Sequence, residues 1–413
     1  MTRVILGDIA ISQTGPFGSQ LHEEDYVSEG TPIVTVEHLG DTNFTHQNLP
    51  FVSEADTKRL SKYILIEGDI VFSRVGSIDR NVYVDKNHEG WMFSGRCIRV
   101  RADKNKVNPR YLSYYFKQNS FKKMMMNLAV GATMPSLNTK IMNSLELDLL
   151  PRENQDKIAN ILSAIDDKIQ INNQINQELE AMAKTLYDYW FVQFDFPDQN
   201  GKPYKSSGGK MVYHPELKRE IPEGWGVRKL NEVLDLISGY PFSSNDYVTS
   251  GKYKLYTIKN VQDGYTVDKV DNYLDFLPSN MSDECQLHRG DLIMSLTGNV
   301  GRIGMVYEDN VLLNQRVLKL KTINKTHKSF IYSFFRSDVT KAYLENISTG
   351  TSQKNLSPID IGNMMIPYPS ENLLSKFLDN LNMLENNFVE NQELTQLRDW
   401  LLPMLMNGQV KVE

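Results

Sequence analysis

The sequence predicts an α+β protein: two pseudo-symmetric mixed α/β bodies separated by two long antiparallel coiled-coil helices. Three observations predict it. One pattern occurs twice, each copy places short strand-like segments before a helical one, and each ends in a long run of apolar residues at three- and four-residue steps. Leu6-Gly-Asp-Ile-Ala-Ile returns near Leu230-Asn-Glu-Val-Leu-Asp-Leu, and Gly15-Pro-Phe-Gly-Ser returns as Tyr240-Pro-Phe-Ser-Ser. Leu65-Ile-Glu-Gly-Asp-Ile-Val-Phe-Ser returns as Leu287-His-Arg-Gly-Asp-Leu-Ile-Met-Ser, and Asn176-Gln-Glu-Leu179 as Asn391-Gln-Glu-Leu394. The offset drifts only from about 225 to about 215 along the chain. Two copies are too few, and each far too long, for a solenoid. They suit two similar bodies related by a pseudo-twofold axis.

The first body is expected over residues 1–150. Pro32-Ile-Val-Thr-Val-Glu, Gly68-Asp-Ile-Val-Phe-Ser, Asn81-Val-Tyr-Val and Cys97-Ile-Arg-Val-Arg are short apolar runs between turn residues and read as strands. Pro109 to Asn127 has helical spacing, with Tyr111, Leu112, Tyr115 and Phe116. A helical region is expected over 151–195, opened by Pro151 and Glu153 at the positive end of the dipole. Its seam is Ile158, Leu162, Ile165, Ile169, Ile175, Leu179, Met182, Leu186 and Trp190, interrupted by Asn172, Asn173, Gln174 and Asn176. Residues 196–224 are rich in Gly, Pro and Ser and read as a linker. The second body, 225–368, repeats the strands around Tyr253, Gly290, Ile303 and Arg316, and the helix around Ser329 to Leu344. The second helical region, 369–413, carries Leu374, Leu378, Leu381, Leu384, Phe388, Leu394, Leu397, Leu401 and Leu405, with Pro403 expected to kink or end it. Seams this narrow do not fit a globular core, so the two helices are expected to pack on each other and set the bodies half a turn apart.

Composition bounds the function. A chain of 413 residues is long for one domain and comfortable for two. No apolar run approaches the roughly 18 residues of a membrane span, and no secretory signal opens the chain. Cys97 and Cys285 lack a Cys or His partner at ligand spacing and fit a reducing, cytoplasmic location. The net charge of −6 is concentrated: residues 152–198 set four basic side chains against nine acids, and residues 371–413 three against seven, which leaves about +3 on the remainder. Two neutral to slightly basic bodies permit nucleic-acid binding. A duplicated body suits a bipartite partner, of which DNA is the commonest. Catalytic signatures are missing. Asn108-Pro-Arg-Tyr111 lacks the second proline of an adenine methyltransferase motif, Ser207-Gly-Gly-Lys210 lacks phosphate-loop spacing, and the seven histidines are scattered. No catalytic residue and no metal site is expected.

Four further stretches stand out: Trp190-Phe-Val-Gln-Phe-Asp-Phe-Pro-Asp-Gln-Asn-Gly-Lys-Pro-Tyr-Lys-Ser-Ser-Gly-Gly, Glu220-Ile-Pro-Glu-Gly-Trp-Gly-Val, and the loops Gly15-Pro-Phe-Gly-Ser and Gly131-Ala-Thr-Met-Pro-Ser-Leu-Asn. In these the chain resembles the specificity subunit of type I restriction–modification systems. With the half-and-half plan, the resemblance covers essentially the whole chain. It implies two target recognition domains, each reading one half of a bipartite double-stranded DNA target. It implies helices that set the unread spacer and dock two modification (methyltransferase) subunits. It also implies S-adenosylmethionine on those subunits, and ATP with Mg on two restriction subunits that join them. The chain itself would bind no cofactor and catalyse nothing.

Base readout needs forked polar side chains, with Ser, Thr and amides on phosphate. In the first body the candidates are Arg74, Ser77, Arg80, Asn81 and Arg96, then Thr133, Ser136, Asn138 and Lys140. In the second they are Thr297, Asn299, Arg302 and Arg316, then Thr351, Ser352, Gln353, Lys354 and Asn355. Two other classes compete. A protein- or glycan-binding scaffold would show no salt-dependent DNA binding, and a nuclease would cut DNA in a metal-dependent way.

Overall fold

The computed structural model describes residues 1–128, 136–350, 354–377 and 379–410. The chain divides into two compact units, Met1–Gln170 with the segment from Glu393 onward, and Ile171–Gln392. The division falls inside both long helices, so each helical region is shared between the units rather than standing apart.

In the first unit, β1 (Thr2–Ile5) pairs antiparallel with β9 (Glu146–Leu149), with Thr2 opposite Leu149. A four-stranded antiparallel sheet follows the order β2 (Ala10–Thr14), β8 (Cys97–Ala102), β5 (Asp69–Ser73) and β6 (Asn81–Tyr83). A smaller sheet joins β4 (Phe51–Val52), β3 (Thr31–Val34) and β7 (Met92–Phe93), with β3 and β7 parallel. Strand β5 reads as a continuous apolar run because both its faces are buried. Ile70 and Phe72 enter one core with Ile98 and Val100, whereas Val71 enters the other with Val82 and Cys97. At its start, Asp69 is fully buried and accepts two hydrogen bonds of 2.7 Å from Arg101.

The helices of this unit are α1 (Leu6–Ile9), α2 (Glu54–Arg59), α3 (Pro109–Lys117), α4 (Asn119–Leu128) and α5 (Thr139–Asn143). The single helix expected over Pro109–Asn127 is therefore two. Gln118 adopts an extended conformation between them and donates its side-chain amide to the Tyr115 carbonyl. At the start of α3, Asn108 caps the amide of Tyr111 and Pro109 takes the first turn, the role its motif suggested.

The second unit repeats this plan. After a hairpin of β10 (Met211–His214) and β11 (Arg219–Pro222), β12 (Gly226–Lys229) pairs with β22 (Met365–Tyr368) as β1 does with β9. One sheet runs β13 (Leu234–Ser238), β21 (Val317–Thr322), β18 (Leu292–Ser295), β19 (Ile303–Met305) and β15 (Gly264–Tyr265). The other runs β16 (Tyr273–Leu274), β14 (Tyr253–Tyr256), β20 (Val311–Leu313) and β17 (Gln286–Leu287), with β14 and β20 parallel. Strands β15 and β17 are additions. The carboxylate recurs as Asp291, which pairs at 2.9 Å with Lys319, the counterpart of Arg99 rather than of Arg101. The helix expected around Ser329–Leu344 is again two, α7 (His327–Arg336) and α8 (Asp338–Ile347), broken where Ser337 turns extended and caps the amide of Thr340. A short α9 (Pro358–Gly362) precedes β22.

The long helices are α6 (Arg152–Tyr187, 36 residues) and, after α10 (Glu371–Lys376), α11 (Asp379–Met406, 28 residues). In the second unit Asn172 donates to Asn391 (3.0 Å) and Asn387 donates to Asn176 (2.8 Å), so four residues up α6 match four residues down α11 and the pair is antiparallel. Ile158, Leu162, Leu179 and Leu381 are buried, as are Leu374 on α10 and Leu384 and Leu405 on α11. Ile165, Ile169, Leu186, Phe388, Leu394 and Leu401 are half-buried, and Leu378 lies outside the described residues. Three seam assignments are corrected, at Met182, Leu397 and Ile175. Met182 is 58% exposed and its place is taken by Ala183, and Leu397 is 44% exposed beside the half-buried Arg398. The seam steps from Ile169 through Asn172 and Asn176 to Leu179 and Ala183, so the asparagines lie in it and Ile175 points out. Cross-helix amide pairing and an Arg398–Asp166 bond of 3.0 Å hold positions that apolarity alone assigned to their neighbours. Pro403 does not end α11, which continues to Met406.

The presumed linker is folded. Phe196 stacks between Tyr204 and Trp225 at 4.7 and 5.3 Å, and the Asp195 carboxylate accepts from the amide and hydroxyl of Ser206. Its Gly and Pro turns serve to bring these aromatics together.

Candidate nucleic-acid interface

In each unit, three separate loops meet along one strand end. The amide of Arg74 donates to the Arg96 carbonyl (2.8 Å), and the Leu137 amide donates to the Arg74 carbonyl (2.9 Å). In the second unit Leu296 donates to Arg316 (3.0 Å) and Leu356 donates to Leu296 (2.8 Å). The loops after β5 and β18, before β8 and β21, and before α5 and α9 are thus laced edge to edge by the same backbone bonds.

The loop that opens each body is seated against the same place, and glycine is required there. A Cβ on Gly15 would collide with the carbonyl oxygens of Phe93 and Ser94, and one on Gly239 with those of Leu313 and Asn314. The amides of Gly15 and Gly239 donate to the equivalent carbonyls of Cys97 and Val317. Gly15 therefore corresponds to Gly239 rather than to Tyr240, and the second loop carries one extra residue before Pro-Phe.

The expected reading residues divide by what they touch. Ser77, Arg80 and Arg96 are exposed in the first body, as are Asn299 and Arg316 in the second. Arg74 is committed to the backbone: its Nε donates to the Leu137 carbonyl and a terminal nitrogen to that of Gly95. Asn81 is buried in β6. Asn138 caps α5 by accepting from the Ile141 amide, which leaves Lys140 exposed in its first turn. Ser136 is bridged to Val75. Thr297 is buried and bridged to Asn355, Arg302 donates to Gln262, and Lys354 is ion-paired with Glu345 at 2.6 Å. Thr133, Thr351, Ser352 and Gln353 lie outside the described residues. Arg74, Asn81 and Thr297 are thus supports for the loops, and the groups facing solvent there include Ser77, Arg80, Arg96, Lys140, Asn299 and Arg316.

Sequence reasoning passed over Phe17, exposed beside the Arg74 guanidinium at 5.9 Å from its ring centre. It also treated the histidines as scattered, yet His46 and His88 meet nitrogen to nitrogen at 3.1 Å, and His88 bonds Asp85. Burial, then the neighbouring His88, hold His46 below its ordinary value. Among the described residues, no three His, Cys, Asp or Glu side chains form a metal-ligand group, and no helix is long and apolar enough to cross a membrane.

Comparison with known proteins agrees with this duplicated plan. The chain is 27% identical over 401 residues to the type I restriction enzyme MjaIX specificity subunit of Methanocaldococcus jannaschii, covering 94% of this chain and 89% of that one. It is 23% identical to the HindI specificity subunit of Haemophilus influenzae, covering 92% and 95%. The crystal structure of a type I restriction–modification S subunit from M. genitalium matches 100% of this chain and 96% of that one, with a TM-score of 0.54 at 16% identity, a likeness of fold. The family described as "Type I restriction modification DNA specificity domain" matches residues 2–181 and again 222–397, and the chain belongs to that family.

Proposed function

We propose that this chain is the sequence-specific DNA-binding specificity subunit of a type I restriction–modification complex. Each body reads one half of a bipartite target, and the long helices set the spacer and carry two modification subunits. The observation that supports this most is the threefold lacing of loops in each body, which gathers Arg80, Arg96 and Ser77 in one, and Arg316 and Asn299 in the other, on a rigid strand end. Arginines in such loops suit guanine edges or phosphate, and serine and asparagine suit phosphate and adenine.

The chain supplies recognition, and chemistry belongs to its partners. The modification subunits would bring S-adenosylmethionine for adenine methylation, and two restriction subunits would bring ATP and Mg. The docking surface we assign is apolar and lies on the outer faces of the helices. Ile171, Ile175, Met182, Tyr189 and Met383 are exposed in the second unit, and Leu397 and Trp400 in the first. Side chains of this kind left outside a helix seam mark a contact surface.

The test is a single-molecule methylome of cells expressing the adjacent modification subunit with and without this chain. A bipartite methyladenine motif that vanishes without the chain is expected. An unchanged pattern with both proteins present would refute the specificity function.

A further inference from the structure

We propose that a pocket in the first body is a nucleobase site, in which Phe17 stacks on one base of the half-site turned out of the duplex; this rests on the DNA-reading function above. Both bodies carry the Pro-Phe motif, but they use it in opposite ways. Phe242 is 9% exposed, set against Tyr240 at 4.9 Å and packed into a core with Tyr253, Leu255, Leu274 and Leu312. Phe17 is 61% exposed. It is nonetheless firmly mounted. Its loop is pressed onto Gly95 so closely that a Cβ there would collide with the Phe17 Cβ and the Pro16 carbonyl, and Arg74 ties the Gly95 carbonyl at 3.2 Å. A rigid aromatic offered to solvent costs little to order on binding.

Phe17 forms one wall of a cavity of about 550 Å³, within the size range of small-ligand sites. The other walls carry charges of both signs, Arg74 and Arg96 with Glu23 and Glu37, beside Tyr26. Two guanidiniums set against two carboxylates leave the walls without the net positive charge that a phosphate site needs. A base edge presents amino donors to a glutamate and ring or carbonyl acceptors to an arginine, and its face suits Phe17. A flat aromatic face and a polar edge presented together in one open recess suit a base that has left the stack.

The experiment uses the complete complex of this chain with its modification subunits. The probe is a duplex of the methylome-defined target, with 2-aminopurine placed at or beside each position of both half-sites in turn. The adenine presented for methylation brightens independently of Phe17 and serves as an internal control. One further position is expected to brighten on binding. Phe17→Ala should abolish that signal and weaken specific binding roughly 5- to 150-fold, the range for losing one stacked base, while leaving salt-dependent non-specific binding unchanged. Phe17→Tyr should keep the signal, and Glu37→Gln should alter base preference at that position alone. If the wild-type complex holds its target but no position brightens in a Phe17-dependent way, the pocket is not a base site. If the wild-type complex prefers its target no more than a scrambled duplex, the DNA-reading function itself fails.

Discussion

Arg74 sits where an arginine fit for a guanine edge was expected, and it gives its protons to two backbone carbonyls instead. Residue type and loop placement were legible in the sequence, but the partners were not. The carbonyls of Gly95 and Leu137 come from loops distant in the chain, and local spacing carries no sign of them. Phe17 was missed for a related reason: an apolar residue in a shared motif reads as core, which is what its counterpart Phe242 is. Lys117, in the last turn of α3, gives a prediction at this scale. Burial, opposed by the attraction of Asp166, pushes its ammonium down to about 8 from an ordinary value of 10.5. Between those values the unfolded chain holds a proton that the folded chain has lost, so this residue's contribution to stability rises with pH across the window and is least favourable below 8. Lys117→Met should therefore be more stable than the wild type at pH 7, with the gap closing by about pH 10.5. Urea denaturation at pH 7, 9 and 10 measures it, and a gap independent of pH would mean that Lys117 keeps its ordinary value in the fold.

At the scale of elements, the buried central strands were easy to find, whereas β1, β2, β4, β7 and β9 were passed over. A run such as Ile70-Val71-Phe72 is apolar throughout because its alternate residues serve two cores. Helix existence was equally plain, but continuity was not. The breaks at Gln118 and Ser337 involve single polar residues whose extended backbones do not disturb the apolar period on either side. The seam of α6 and α11 was misplaced locally because apolar and polar candidates stand one residue apart, and cross-helix amides decided between them. Pairing the amides makes their burial tolerable; stranding one does not. Asn172→Ala, which removes the buried amide that donates to both Asn391 and Glu390, should cost about 1–3 kcal/mol. The double change Asn176→Leu with Asn387→Leu should be near neutral or stabilising, at the expense of register. Chemical denaturation of the wild type and the two variants separates the two cases, and equal losses in both would show that the asparagines act only as space-fillers.

At the scale of the molecule, the internal repeat announced the duplicated topology, and strand orders in the two bodies match apart from β15 and β17. The linker was misjudged because its Gly and Pro content hid a small aromatic cluster. The outward apolar side chains of the helices also belong to this scale, since they acquire meaning only in an assembly. Met182→Glu and Trp400→Glu should leave the melting temperature of the free chain within a few degrees, because both side chains are exposed. Both should release modification subunits on co-purification, and full retention would place docking elsewhere.

Strand β1 lies beside β9, and β12 beside β22. Each body is therefore entered and left at one pair of neighbouring strands, while its core continues into the helices outside them. Under the proposed function, recombination at the codons for those paired strands would exchange one half of the target word in a single event and keep the other half.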